Sequence, residues 1–264
     1  MTSRTQPRSR TLHGAAYVDV GEGEPLVLVH GVGLRLEAWA PQIDSLAATH
    51  RVIAVDLPGH GASSPIGNGS GLNAFVDWFV VALDDLRLDS VNVAGHSMGA
   101  LIAEGCAVTA PERVRRVALL SAVHRRDSAA ASAVRARAAE IAGGKVDPIA
   151  PLARWFGNEC ATSEPYLLVE NWLSTVDVEA YATAYGAFAE GDVLYADRWP
   201  GVTGPALFLT GEHDPNSTPQ MTLELAAAAP RGEACIIADH RHMVNMTAPD
   251  EVTAALQHWL TRKV

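Results

Sequence analysis

Val91-Asn92-Val93-Ala94-Gly95-His96-Ser97-Met98-Gly99 decides how the chain is read. Val91 to Ala94 reads as a short strand, and a helical pattern begins at Met98 and runs to Val108. Gly95 and Gly99 stand two residues before and two after Ser97. Small residues at both places let the backbone pass closely through a sharp strand-to-helix turn. The serine hydroxyl is then presented at the end of the sheet, over a helix N-terminus that favours negative charge. A bare G-x-S-x-G arises by chance in many proteins, but here it has the strand before it and the helix after it that the motif needs. Ser97 is therefore the candidate nucleophile.

Outward from that turn, short apolar runs bounded by turn residues alternate with longer helical patterns. Leu26 to His30, Val52 to Asp56, Val117 to Ser121, Ala206 to Thr210 and Ala234 to Ile237 read as further strands. Their near-continuous apolarity suits strands buried on both faces, and the alternation predicts an α/β fold with a mostly parallel sheet. Gly14 to Val20 reads as an antiparallel edge strand. Leu72 to Leu86, Pro219 to Ala228 and Pro249 to Leu260 read as helices. From about His124 to Trp199 no convincing strand occurs, and Ala-rich, amphipathic patterns predict three to five short helices. The expected organisation is one core formed by residues 1–123 and 200–264, interrupted by a helical lid over 124–199. Met1 to Arg10 is polar and reads as a frayed tail.

A serine alone is a weak nucleophile and needs a base, itself oriented by an acid. Asp214, in Gly211-Glu212-His213-Asp214-Pro215, follows the strand Ala206 to Thr210. His242 follows the strand ending near Ile237. Both then lie at the same edge of the sheet as Ser97. Asp127, after another strand, and Glu212 are rival acids, and His240 is a rival base. His96 reads as structural or pocket-lining, and His13, His50 and His258 as surface residues. An oxyanion needs preorganised donors. The loop His30-Gly31-Val32-Gly33 after the strand Leu26 to His30 offers the amide of Val32, and the residue after the nucleophile offers that of Met98. Asp56 to Ser63 reads as a tight glycine-rich turn, with His60 near the pocket edge.

The 264 residues carry a net charge of −10, which disfavours nucleic acid and anionic membrane as partners. No apolar run is long enough to span a bilayer, and the N-terminus lacks the apolar segment of a secretory signal. The cysteines, Cys106, Cys160 and Cys235, are odd in number and lack metal-site spacing, which fits a reducing cytoplasm. The sequence is silent on oligomeric state.

Together the H-G-x-G loop, the turn Asp56-Leu57-Pro58-Gly59-His60-Gly61-Ala62-Ser63, the G-H-S-M-G elbow, the G-x-x-D-P segment and the late histidine resemble the α/β-hydrolase superfamily. Within it the chain is similar to the haloperoxidase and enol-lactonase-like branch. The resemblance covers nearly the whole chain. It implies an eight-stranded, mostly parallel sheet with an inserted helical lid. It also implies the triad order Ser97, Asp214, His242 and hydrolysis of small esters, lactones or amides with no cofactor and no metal. A narrower resemblance, carried by His30 to Trp39, Arg154 to Gly157, Asp214 to Pro219 and Arg241 to Met243, is to (E)-2-((N-methylformamido)methylene)succinate hydrolases. That implies a small dicarboxylate substrate. Arg35, Arg125, Arg126 and Arg241 are then candidates to bind carboxylate, with Trp39 and Trp155 as candidate apolar walls. C–C bond hydrolysis, a cofactor-free lyase or oxygenase, and a non-catalytic ligand receptor are the alternatives the same fold allows.

Overall fold

Successive side chains of a strand point to opposite faces. In Pro25-Leu26-Val27-Leu28-Val29 both faces are apolar, and both are buried. A computed structural model of the protein describes residues 8–157 and 160–264. In it this strand, β3, lies inside an eight-stranded sheet of order β1-β2-β4-β3-β5-β6-β7-β8. The other strands are β1 (Ser9–Arg10), β2 (Ala16–Val20), β4 (Arg51–Val55), β5 (Val91–His96), β6 (Val114–Leu120), β7 (Ala206–Gly211) and β8 (Gly232–Ile237). The β1–β2 and β2–β4 pairings are antiparallel and all others are parallel.

Two cores follow from the alternation. Val27, Val29, Val93, Leu119 and Phe208 face one side, against Phe75 and Phe79 of α2 (Leu72–Asp85) and Leu101 of α3 (Met98–Thr109). Leu26, Leu28, Ala94, Leu120 and Leu209 face the other. There they meet Ile43 and Leu46 of α1 (Ala40–Leu46) and Leu256 and Trp259 of α10 (Pro249–Thr261). Burying one such leucine contributes roughly 1.5–3 kcal/mol, so the doubly covered strands dominate the fold's stability. Between β6 and β7 run four helices: α4 (Ser128–Ala142), α5 (Ile149–Phe156), α6 (Glu164–Ser174) and α7 (Val178–Glu190). α8 (Pro219–Ala228) and the short α9 (Val244–Thr247) complete the set. No helix among the described residues is long and apolar enough to cross a membrane.

The chain leaves β3 for β4 on one side and later returns to β5 on the other. That reversal opens a crevice at the C-terminal ends of β3 and β5, the usual ligand position in such sheets. Elements too short or too polar to leave a periodic signal went unread: β1, α1 and α9. The N-terminal residues differ from the expected frayed tail where they are described. Arg8 donates to Asp56 Oδ2 at 2.9 Å and to Glu37 Oε2 at 2.6 Å, and Ser9 and Arg10 pair with β2. Asp56 is fully buried and also accepts from the amides of Leu36 and Ala62, so Arg8 supplies the charge that its carboxylate needs. Met1 to Pro7 lie outside the described residues.

On α3, Glu104 is buried and accepts a hydrogen bond from Trp199 Nε1 at 2.8 Å. Burial pushes its carboxyl up to about 8, so it is held as the neutral acid at neutral pH. A folded value raised above the ordinary 4.5 gives stability that is fully present below about pH 4.5 and lost as the pH rises towards about 8. Glu104→Gln keeps an acceptor for Trp199 and does not titrate. Its melting temperature should therefore gain on the wild type as the pH is raised through that window, read by thermal unfolding at several pH values; a constant gap would contradict it. Gly99→Ala should destabilise by about 2–3 kcal/mol, because its Cβ would lie 2.2 Å from the Val29 carbonyl oxygen. Denaturant titration measures this directly.

Candidate active site

Ser97 joins β5 to α3 with φ 54° and ψ −113°, a conformation that L residues rarely adopt. The turn is held from several sides. The Ser97 amide donates to the Leu120 carbonyl at 2.9 Å, and a Cβ on Gly95 would lie 2.1 Å from the Gly99 carbonyl oxygen. Met98 is the first residue of α3, so its N–H has no acceptor within the helix. Opposite, at the end of β3, the loop Gly31–Leu34 is closed by the Leu34 amide on the Gly31 carbonyl. Val32 sits at its tip and faces the same cavity as Ser97.

Two further strand ends bring an acid and a base together. Past β7, the Asp214 carboxylate accepts from the amides of Asn216 and Ser217 through Oδ1. Past β8, His242 Nδ1 donates to Asp214 Oδ2 at 2.8 Å. Burial alone would raise the Asp214 carboxyl. The adjoining His242 ring and the two amides outweigh it and hold the carboxyl below its ordinary range. This bond leaves Nε2 of His242 as the free nitrogen of the ring, and His242 lines the cavity with Ser97.

The rivals have other partners. Asp127 caps α4 by accepting from the Ala130 amide, Glu212 accepts from the Asp239 amide, and His240 Nδ1 pairs with Thr247 Oγ1. Three more histidines are buried neutral bases. His30 and His96 are each pushed down to about 3, His30 by burial and nearby His60, His96 by burial and nearby His242. His60 is lowered by burial too, and its Nε2 accepts from the Gly33 amide at 2.9 Å, which fixes the loop around Val32. His30 makes the reciprocal tie, its Nε2 accepting from the Leu57 amide at 2.9 Å.

The cavity above Ser97 has a volume of roughly 170 Å³. Three helices between β6 and β7 wall it, each with one stripe. α4 offers Ala130, Ala133, Val134 and Arg137, α5 offers Pro151, Arg154 and Trp155, and α7 offers Tyr181, Tyr185 and Phe188. These spacings of three, four and seven place each set on one helical face. Trp155 stacks on the His242 ring at a centroid distance of 5.8 Å.

Of the arginines considered from sequence, Arg126 alone lines the cavity. Its guanidinium is buried, paired with Asp192 at 2.9 Å and set 4.5 Å from the centre of the Phe188 ring. Arg35 instead donates to Thr175 Oγ1, and Arg125 pairs with Asp197 at the surface. Arg241 is half-buried and is not part of the cavity wall. Trp39 is fully buried in the core on the far side of the sheet, not in the pocket. In their place the structure brings in Arg137 and Arg154. Arg137 is recoverable from sequence, because it continues the helical stripe of Ala130 and Val134. Arg154 stands beside Trp155, and no signal short of the fold aims it inward. One cluster among the described residues has metal-ligand spacing, Glu212, His213 and Asp239. It is fully exposed and separate from the cavity wall.

Comparison with known proteins agrees with this architecture. A model of the alpha/beta hydrolase family matches residues 26–255. The chain is 47% identical over 262 residues to an (E)-2-((N-methylformamido)methylene)succinate hydrolase of Acinetobacter baylyi, covering 98% of each. Among solved structures it is similar to the enol-lactonase of Burkholderia xenovorans LB400, with a TM-score of 0.87, 28% identity and coverage of 97% of this chain and 100% of that one. It is also similar to a malate-bound thermophilic esterase of Thermogutta terrifontis, with a TM-score of 0.86, 25% identity and coverage of 97% and 98%. With the elbow, the sheet order and these relatives in agreement, the chain belongs to the alpha/beta hydrolase family and is a hydrolase.

Proposed function

We propose that the protein hydrolyses the amide of a small dicarboxylated enamide of the (E)-2-((N-methylformamido)methylene)succinate type, through an acyl-enzyme on Ser97. The observation that carries this reading is one cavity lined by Ser97, His242 and three arginines, Arg126, Arg137 and Arg154. In a chain of net charge −10, three guanidinium groups around so small an apolar space favour an anionic ligand. Arg126 is held in a buried pair with Asp192 at 2.9 Å, whereas the ion-pair partner of Arg137 is the exposed Glu140 at 3.7 Å, so Arg137 and Arg154 are the better carboxylate partners. Arg137 is held by the Asp147 carbonyl at 3.0 Å. Arg154 makes no ion pair or hydrogen bond among the described residues. The relative at 47% identity acts on such a dicarboxylate by its name.

The geometry supports the following steps. His242 Nε2 takes the Ser97 hydroxyl proton as Oγ attacks the amide carbonyl carbon. The carbonyl oxygen gains the negative charge and rests on the amides of Val32 and Met98. As the C–N bond breaks, the imidazolium returns its proton to the leaving nitrogen. Water, deprotonated by His242, then attacks the acyl-Ser97 ester, and the proton goes back to Ser97 as the acid departs. Asp214 keeps its charge throughout and stabilises the imidazolium. The helices over residues 124–199 act as the lid of this site. The unpaired state of Cys106, Cys160 and Cys235 supports a reducing, cytoplasmic setting.

Ser97→Ala should lower kcat for the enamide by about 10⁴-fold or more while leaving the melting temperature near that of the wild type. Retained turnover would end the acyl-enzyme reading. Arg137→Gln and Arg154→Gln should each raise KM for the dicarboxylated substrate by about tenfold to a hundredfold, the worth of a charge-assisted hydrogen bond. KM for a neutral ester such as p-nitrophenyl acetate should stay within about twofold by the same reasoning. Equal effects on both substrates would remove the carboxylate role.

A further inference from the structure

His242 is anchored at both ends, and the second anchor is made by residues outside the cavity. Ser121 follows β6 with φ 48°, and its hydroxyl donates to the His242 carbonyl at 3.0 Å. The Ser217 hydroxyl donates to the Ser121 carbonyl at 2.7 Å. The Ser217 amide donates to Asp214 Oδ1 at 3.0 Å, and His242 Nδ1 donates to Asp214 Oδ2 at 2.8 Å. These four bonds close a ring through the ends of β6, β7 and β8. No member is more than 2% exposed. His96 Nε2, from inside the elbow, adds a second donor to the His242 carbonyl at 2.9 Å.

We propose that Ser121 and Ser217 are positioning residues for the base, acting through the main chain of His242. The bond to Asp214 alone leaves the imidazole free to swing about Nδ1 while the carboxylate stays satisfied. Fixing the His242 carbonyl removes that freedom and keeps Nε2 on the side of Ser97. The backbone of Ser121 is held in the left-handed region so that its hydroxyl and its carbonyl serve opposite edges of the ring. Neither serine lines the cavity, so neither contributes to substrate binding. The proposal rests on the roles given above to Ser97, Asp214 and His242.

The test uses the full chain with Ser121→Ala, Ser121→Gly and Ser217→Ala. Alanine and glycine differ at Ser121 in one useful way. Glycine relaxes the left-handed backbone and alanine does not, while both delete the hydroxyl. If the ring positions the base, both Ser121 variants should lower kcat by about tenfold, the worth of one buried hydrogen bond, with KM within about twofold. Ser217→Ala, which cuts the ring at its other hydroxyl, should do the same. Labelling of Ser97 by a fluorophosphonate should slow by a similar factor in all three. A fall in melting temperature with kcat and labelling rate unchanged overturns the proposal and leaves the ring merely structural. So does a kcat loss in Ser121→Ala that glycine restores, which would trace the effect to the backbone. If the wild type itself is not labelled, the catalytic reading of Ser97 fails instead, and the two failures are thereby told apart.

Discussion

Everything at this site depends on a steric constraint, the turn by which β5 becomes α3 within one residue. Ser97 occupies a strained conformation there, and Gly95 and Gly99 are the only residues small enough to let β5, α3 and β3 pass each other at the distances seen. Strain of this kind costs about 1–3 kcal/mol and persists only where the surroundings over-determine it. Here they do, through the Ser97 amide on β6, the close approach of Gly99 to Val29, and the fully buried strands on either side. The stability of the sheet is in this sense what holds Ser97 in an unfavourable backbone conformation.

Much of this was legible in the sequence, for identifiable reasons. The strands buried on both faces leave apolar runs that stand out against any background, so β3 to β7 are visible to within a few residues, while β8, a half-buried edge strand, is read only from its apolar end, Ala234 to Ile237. The elbow is visible because two glycines at fixed offsets have no substitute. Asp214 and His242 are visible because they follow strands that must end at the same edge as Ser97. The parts that stayed dark depend on tertiary geometry. Nothing in Arg35, Arg125 or Arg241 as residues separates them from Arg154; only the packing of α5 over the sheet does so, whereas Arg137 carries a sequence signal in its place on the stripe of Ala130 and Val134. Trp39 shares the oxyanion loop's neighbourhood in sequence, yet one further turn of chain carries it to the opposite face of the sheet. Arg8 lies in a polar tail with no periodicity, and its value comes from carboxylates 29 and 48 residues away.

The electrostatics are divided in a comparable way. The buried histidines His30, His60 and His96 are kept neutral and serve as fixed donors and acceptors between loops. Asp214 lies against the His242 ring, and Arg126, Arg137 and Arg154 stand at the cavity wall, Arg126 paired with Asp192 and Arg137 near Glu140. On the proposed function, an anionic ligand would meet positive charge at the cavity wall, with the His242 ring between it and the carboxylate of Asp214. Trp155 stacks on that ring at 5.8 Å, and the neutral His96 ring lies 5.1 Å from it.

The three helical stripes have a consequence for how such a protein changes over generations. The reacting groups hang from strand ends, where one substitution disturbs a sheet buried on both sides. The ligand-facing groups sit on exchangeable positions of α4, α5 and α7, a separate span of chain inserted between two strands. On the proposed function, replacing Arg137, Arg154 or Val134 would alter which molecule is bound without touching Ser97, Asp214 or His242. Selectivity and chemistry would then be carried by separate spans of one chain, free to change independently.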